Sequence, residues 1–438
     1  MSETKTIRVK IEKMVFGGQA LARYENRVVF VWGALPGEEV EVRLTRQKKN
    51  FLEGVATKII TSAPERVEPR EAHYLACSPW QIMSFEAENH WKVKIAEEIY
   101  AKFVSLTFNE PLEIVYADDE AYSYRNKLEY SFVQTEGGKV ELGFFERGGK
   151  YRRPIEPCML GTDAINKTAV LILNWIREQK IPLRSLKSLI IRSNLQNETI
   201  AALFIKDHLP LGALPSLDKK FLGFQIYFSS PFSPASIPEE KLFGQGQDYL
   251  IEEVKGVKLK YGLLSFFQVN QPVFQSALAD ISAHLPAGAD VIDYYSGVGS
   301  IGLPLAKNLG QLELVENNSE AVQYAEENII LNKLKNCRVE LKSTEKMLEL
   351  INSEKYIIVD PPRVGLHPDV IKKLVQALPP RIIYLSCDLA TQARDIKELL
   401  PHFEPIFWRL YNFFPRTPHL EGLCVLERRS GDLPKGEK

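Results

Sequence analysis

Cysteine is scarce in this chain. Five cysteines in 438 residues, at scattered positions, make no disulfide framework. A secreted, disulfide-stapled scaffold is therefore excluded, and a reducing cytoplasmic location is expected. Long apolar runs are missing too: none approaches the ~18 residues that a membrane helix needs, so no membrane partner is expected. The polar start, Met1 to Lys5, lacks the apolar centre of a secretory signal. Charge of one sign is also lacking. The formal net charge is -1, so any nucleic-acid site has to be a local patch. No repeat period and no low-complexity tract is present, which excludes solenoids and arrays. What remains is ordinary globular material, with 45% hydrophobic and 25% charged residues. By length it is enough for about three domains.

Residues 1–62 read as a small all-β module. Ile7 to Ile11 and Glu39 to Leu44 alternate apolar with polar, Arg27 to Trp32 is a further strand, and Gly17-Gly18 and Pro36-Gly37 mark turns. Arg46, Lys48 and Lys49 cluster just before Phe51, and the first seventy residues carry about +4. A basic loop with an aromatic on a small barrel suits RNA, and a merely solvated basic loop fits these residues as well. Thr61 to Pro69, with two prolines, reads as a linker. Residues 63–255 then mix helices (Phe85 to Leu106, Ala164 to Gln179) with strands (Tyr124 to Phe132, Ser188 to Arg192, Thr199 to Phe204). A second basic cluster (Arg147, Lys150, Arg152, Arg153, with Tyr151 among them) suits phosphate contact or a solvated face.

From residue 256 strands and helices alternate, as in a parallel α/β sheet. Asp290 to Tyr295 is a strand, Ser296 to Ser300 a glycine turn, Ile301 to Leu309 a helix, and Leu312 to Glu316 a second strand that ends in an acid. A glycine turn lets backbone approach a ligand closely, and an acid at that strand end accepts hydrogen bonds from a ribose diol. A strand-end acid with no ligand is the plain alternative. Tyr356 to Val359 is another strand, and the prolines of Asp360-Pro361-Pro362-Arg363 stiffen the loop that follows.

Ile382 to Leu385 is a short buried strand and Ala390 to Leu400 a helix, with Asp388 as its N-cap. Cys387 thus stands at a strand's carboxyl end just before a helix, where open α/β sheets place their chemistry. A thiol beside helix-start N–H groups is expected to ionise more easily. Glu421 adjoins the apolar strand Leu423 to Leu426, where burial raises a carboxyl's affinity for protons and makes it a competent base.

These stretches carry two resemblances. Gly17-Gly18, the strand Val28 to Val31, Leu35 to Glu38 and Lys48 to Phe51 resemble the TRAM domain, an OB-like RNA-binding β-barrel. Three C-terminal stretches resemble the signature of the RNA uracil-C5 methyltransferases that use S-adenosylmethionine. They are Asp360 to Arg363, Ser386 to Asp395, and Phe414-Pro415 with Thr417, His419 and Glu421. The resemblance implies a multidomain α/β protein: a TRAM barrel at 1–62, a central α+β domain at 63–255, and a Rossmann-like class I methyltransferase domain at 256–438. It implies Cys387 as nucleophile and Glu421 as general base. Gln268, Tyr295, Ser300, Glu316 and Asp360 are implied as contacts to S-adenosyl-L-methionine.

The implied reaction is methylation of a uridine at C5 in RNA, through a covalent bond between Cys387 and C6, by a monomer. The TRAM resemblance favours 23S rRNA, with the tRNA T-loop as the alternative. A non-catalytic RNA-binding or assembly factor is the reading from another class, which intact Cys387 and Glu421 disfavour. A DNA cytosine methyltransferase is disfavoured by the missing Pro-Cys nucleophile motif. Leu389 stands where proline is usual, and Ser296 and Ser300 stand where Cys and Asn are common. Many TRAM-bearing relatives hold a [4Fe–4S] cluster on four cysteines. Here Cys77 precedes Gln81 alone, Glu71 stands near the usual first cysteine and Cys158 matches the fourth. Two thiols do not make four ligands, so neither a cluster nor another metal is expected.

Overall fold

The computed structural model describes residues 5–105, 108–117, 121–148, 151–233 and 236–431. The chain divides into two compact units. One comprises 1–95, 118–248 and 414–419; the other comprises 96–117, 249–413 and 420–438. The sequence reading had the barrel and the central region as separate domains, with a boundary at 255; the barrel and most of the central region fall in the first unit, while 96–117 and the chain from Tyr249 to 255 belong to the second.

The first unit opens with five strands (Thr6–Met14, Ala20–Tyr24, Arg27–Trp32, Glu39–Gln47 and Phe51–Thr61) that close into a barrel in the order first, second, third, fifth, fourth. Alternation drives closure: Ile7, Val9 and Ile11 are buried while the residues between them are exposed. Gly54 permits a tight strand approach, since a Cβ there would lie 2.4 Å from Val42 Cγ1 and 2.7 Å from the Arg43 carbonyl. The stretch Thr61 to Pro69, expected as a linker, is pinned instead. Glu38 is wholly buried, and its carboxylate accepts from Arg66 Nη2 (2.8 Å), Leu35 N (2.8 Å) and Ala63 N (3.2 Å). A buried acid with this many donors is satisfied, and it fastens the exit chain to the barrel.

A seven-stranded mixed sheet completes this unit. Its order runs Glu240–Gly246, Phe221–Phe228, Thr199–Ile205, Leu186–Ser193, Lys127–Gln134, Val140–Phe145, Arg152–Pro154. The helix Asp163–Glu178, N-capped by the Thr162 side chain, buries Ile165, Ala169, Ile172, Leu173 and Ile176, the spacing of one helical face.

The second unit is built on an eight-stranded sheet. Its parallel part runs Cys337–Leu341, Leu312–Glu316, Val291–Tyr294, Tyr356–Val359, Arg381–Ser386. Glu421–Arg428 then joins antiparallel, followed by Phe403–Tyr411 and Ile114–Val115. The central strands are buried along nearly their whole length and rich in isoleucine and valine, as strands covered on both faces must be. The strand order reverses at Val291–Tyr294, so its carboxyl end and that of Tyr356–Val359 flank the topological switch point. The helix expected over Ile301 to Leu309 is only Gly302–Leu305 with a 3-10 turn to Asn308. Among the described residues, no helix is long and apolar enough to cross a membrane.

Candidate active site

Strand register brings the thiol and the carboxylate together. Leu385 pairs with Leu423 and Ser386 with Gly422 in an antiparallel ladder, so Cys387 and Glu421 are the next opposed positions. Glu421, read from the sequence as adjoining a buried strand, is the first residue of that strand and only 3% exposed. Asp360 leaves the neighbouring parallel strand directly after Val359, which pairs with Tyr384. The three side chains feel one another electrostatically. Burial pushes the Glu421 carboxyl well above its ordinary range, and the charge on Asp360 adds to this. Burial raises Asp360 to about 7. One Glu421 oxygen, Oε2, is buried with no hydrogen-bond partner.

Cys387 differs from expectation. Burial, Glu421 and Asp360 push its thiol up to about 11, against a smaller downward pull from Arg363. The helix-start N–H groups that were to favour the thiolate are taken by Asp388, whose Oδ1 accepts from Ala390 N (3.1 Å) and Thr391 N (3.0 Å). A capping carboxylate one residue away replaces the helix's positive end with a negative charge. Cys387 is therefore a protonated thiol at neutral pH.

Two residues that the sequence reading left without a role hold this arrangement. Gln392 is fully buried on the helix Leu389–Leu399; its Nε2 donates to the carbonyls of Tyr384 and Gly422, both at 2.9 Å, and its Oε1 accepts from Tyr100 Oη at 2.7 Å. It thereby ties the strand leading to Cys387 to the strand leading from Glu421. Asp395 Oδ2 accepts from Leu366 N (2.7 Å) and Tyr384 Oη (2.8 Å), which fixes the loop after Asp360. Period alone marked both positions only as helix residues. A polar residue on the buried face of an amphipathic helix was the available signal.

The glycine turn forms a second cluster. Asp293 is completely buried; Oδ2 accepts from Gly302 N at 3.0 Å, while Oδ1 has no partner. Burial, with smaller contributions from Asp360 and Glu316, raises its carboxyl to about 8. The Glu316 carboxylate accepts from Gly297 N (2.9 Å), Asn317 N (2.8 Å) and Asn318 N (2.8 Å), bracing the turn from the next strand. Tyr295 has φ +63°, a costly conformation for a side chain of that size. Gly297, at φ +55°, faces open space: a Cβ there would meet nothing within 4 Å. An exposed backbone edge, an orphaned buried acid oxygen and an acid with lone pairs to spare fit a polar nucleoside-bearing ligand at the switch point. Ser300 is buried at the end of the turn. Gln268 is buried in the separate loop before the helix Gln271–Ala283, its carbonyl accepting from Gln271 Nε2 at 2.7 Å. Tyr295 also lines a cavity of about 1020 Å³ with Glu345, Pro362, Leu366, His367 and Arg394, whereas Cys387, Glu421 and Asp360 do not.

Both predicted basic patches lie in the first unit. Arg46 stands 5.7 Å from the Phe51 ring and pairs with Glu53, leaving Lys48 and Lys49 exposed. In the second patch Arg147 stacks on Trp32 (4.6 Å), Arg152 on Phe145 (4.8 Å), and Arg153 pairs with Glu146 (3.1 Å). Lys150 lies outside the described residues.

Comparison with known proteins agrees with this geometry. The family model of tRNA (uracil-5-)-methyltransferases matches residues 90–429, and that of the TRAM domain matches residues 2–57. An uncharacterized RNA methyltransferase of Caldanaerobacter subterraneus subsp. tengcongensis is 28% identical across 98% of this chain and all of its own length. Another, from Bacteroides thetaiotaomicron, is 28% identical across 95% of this chain and its full length. Among solved structures, the Pyrococcus abyssi tRNA (uracil-54, C5)-methyltransferase in complex with S-adenosyl-L-homocysteine has the same fold. Its TM-score is 0.77 at 23% identity, over 96% of this chain and all of that one.

Proposed function

This chain belongs to the tRNA (uracil-5-)-methyltransferase family, and from that premise we propose that it methylates C5 of a uridine in RNA through a covalent adduct between Cys387 and C6. The opposed placement of Cys387 and Glu421 beside Asp360, at the carboxyl end of the sheet, carries this reading. Residues Gln268, Tyr295, Ser300, Glu316 and Asp360 would hold S-adenosyl-L-methionine, which supplies, when bound, an electrophilic methyl group for C5.

The chain's own side chains do the rest. Uracil C5 is a weak nucleophile. Once the Cys387 thiol has given its proton to solvent, its sulfur bonds to C6, the C5=C6 electron pair moves into the O4 enolate, and C5 becomes electron-rich. After methylation C5 carries both a proton and the new methyl group. Glu421 takes that proton, the electrons restore the C5=C6 double bond, and the thiolate leaves. A carboxyl raised by burial suits this step, because its conjugate base binds the proton firmly. The raised thiol has a matching consequence. Cys387 stays protonated until its surroundings change, so its activation is coupled to substrate or cofactor arrival. The target base has to leave its stack for C6 to be reached.

The RNA is ribosomal in our first reading, supported by the TRAM barrel and its exposed Lys48 and Lys49. A tRNA T-loop uridine is the second, favoured by the substrate named for the Pyrococcus abyssi protein of the same fold. The chain acts as a cytoplasmic monomer in both. The test is methyl transfer from labelled S-adenosylmethionine to total rRNA and total tRNA that both lack 5-methyluridine, with Cys387→Ala in parallel. Label in 5-methyluridine of rRNA, absent with the variant, is the expected result. Label in tRNA replaces the substrate and keeps the chemistry. No label in either RNA, from folded protein that binds the cofactor, overturns the proposal.

A further inference from the structure

The first unit contains a second convergence of reactive side chains, unrelated to methyl transfer. Glu71, His73, Cys77 and Cys158 each present one ligand-type atom, and the four atoms lie within 4.8 Å of one another. Three come from the turn leading into and including the short helix Tyr74–Cys77. The fourth comes from the loop between the strand Arg152–Pro154 and the helix Asp163–Glu178. Glu71, His73 and Cys158 are 7%, 5% and 0% exposed. His73 Nε2 stands 3.1 Å from Glu71 Oε1, so a buried ring nitrogen faces the other three ligand-type groups.

We propose that these four residues bind a single zinc ion, with Cys77 Sγ, Cys158 Sγ, His73 Nε2 and a Glu71 carboxylate oxygen as ligands. Geometry selects one ion over a cubane cluster. Metal–ligand bonds of about 2.0–2.3 Å in a tetrahedron put ligand atoms roughly 3.3–3.8 Å apart. In a [4Fe–4S] cubane each terminal ligand belongs to its own iron, so the ligand atoms stand farther apart, and all four are normally thiolates. Donor chemistry selects the metal. Two thiolates, an imidazole and a carboxylate suit zinc, whereas calcium and magnesium require oxygen throughout.

The surroundings are those of a supported site. Glu71 Oε1 accepts from Met159 N (2.6 Å) and Oε2 from Gln81 Nε2 (2.6 Å), which orients the carboxylate and leaves each oxygen a lone pair. Gln81 Nε2 also donates to Ser78 Oγ (2.6 Å), which lies 3.0 Å from Cys77 Sγ. Asn166 Nδ2 holds the Cys158 carbonyl at 3.0 Å. Zinc with two thiolates and one carboxylate carries a net charge of -1, and the Arg125 and Arg147 guanidiniums lie within electrostatic reach of Cys77 to offset it. The sequence reading assigned no metal because it counted thiols. His73 supplies the donor that a cysteine count overlooks. An ion here would staple the short helix at Cys77 to the loop at Cys158.

The test uses the full-length protein and does not depend on methylation. Purified wild type is expected to contain one zinc per chain by elemental analysis. Replacing the zinc with cobalt should give the absorption bands of tetrahedral Co²⁺ together with sulfur-to-cobalt charge transfer. Cys77→Ser with Cys158→Ser should lose the charge transfer and the stoichiometric metal, and His73→Cys should keep the metal and strengthen the charge transfer. Wild-type protein that takes up no more zinc or cobalt than the double variant overturns the proposal, as does protein holding four irons and sulfide. Recovery of Cys77 and Cys158 as a disulfide from cells lysed under thiol-blocking conditions overturns it as well. The wild-type measurements stand whether or not the variants fold.

Discussion

Each unit gathers cysteine and carboxylate in a buried spot, and the two gatherings are built oppositely. Around Cys387 the neighbours are acids: Glu421, Asp360 and Asp388 raise the thiol, and Arg363, exposed, is the cation that opposes them. Around Cys77 and Cys158 the neighbours are a histidine, a hydrogen-bonded glutamate and two arginines. Acids crowded together and outnumbering the cation beside them compete for protons, which is how general bases are tuned. Mixed soft and nitrogen donors converging on one point instead share a cation. Residue type is nearly the same in the two places; the sign of the surroundings separates a proton-handling site from a metal-holding one.

The largest way to break this contrast is Cys387→Ala. Methyl transfer should fall by at least about three orders of magnitude, while equilibrium binding of S-adenosylmethionine, measured by calorimetry, stays near wild type. Glu421→Gln comes next. Turnover should drop by about 10²–10⁴-fold, the usual worth of a general base. Because the step it serves follows bond formation at C6, a protein–RNA adduct stable in denaturing gels should accumulate. A variant that is slow yet forms no adduct would place Glu421 elsewhere in the reaction.

Asp293 sharpens the comparison through stability. Its carboxyl is raised from 3.8 to about 8, so the folded protein keeps a proton that the unfolded chain releases between those values. The folded state binds more protons there, and stability falls as pH rises through that window. Asp293→Asn should flatten this slope in urea titrations between pH 5 and pH 8, with a difference of a few kcal/mol at most. An unchanged slope would show that the buried acid is ionised throughout.

The smallest effect belongs to Arg363. Iodoacetamide should alkylate Cys387 in the free enzyme slowly at neutral pH, speeding up toward pH 11, the value to which the thiol is pushed. Arg363→Met removes this downward pull and should slow alkylation at pH 8 by about two- to five-fold, small because the guanidinium is exposed and screened. Glu421→Gln should speed it. Equal rates in all three proteins would mean that the acid cluster does not govern the thiol.

Much of this was legible from the chain itself. Period-2 alternation in Ile7–Ile11 and Glu39–Leu44 specified the barrel, and short, largely apolar strands ending at Glu316, Asp360 and Cys387 specified a parallel sheet with its chemistry at one end. Both signals are local, because a pleated strand exposes its faces in strict alternation and a buried one shows no polar face. Motif spacing carried the family, since the order of three short stretches survives without any knowledge of contacts. Three things needed the tertiary structure. Antiparallel register decided that Glu421 opposes Cys387, a pairing over thirty positions apart in the chain. Burial and neighbouring charge, which are sums over space, reversed the expectation for the Cys387 thiol. The turn at Glu71–Cys77 and the loop at Cys158 gathered a histidine, a glutamate and two thiols that no spacing rule joins. Local pattern determines which face a residue takes; which other residues it then meets is decided only when distant segments close on one another.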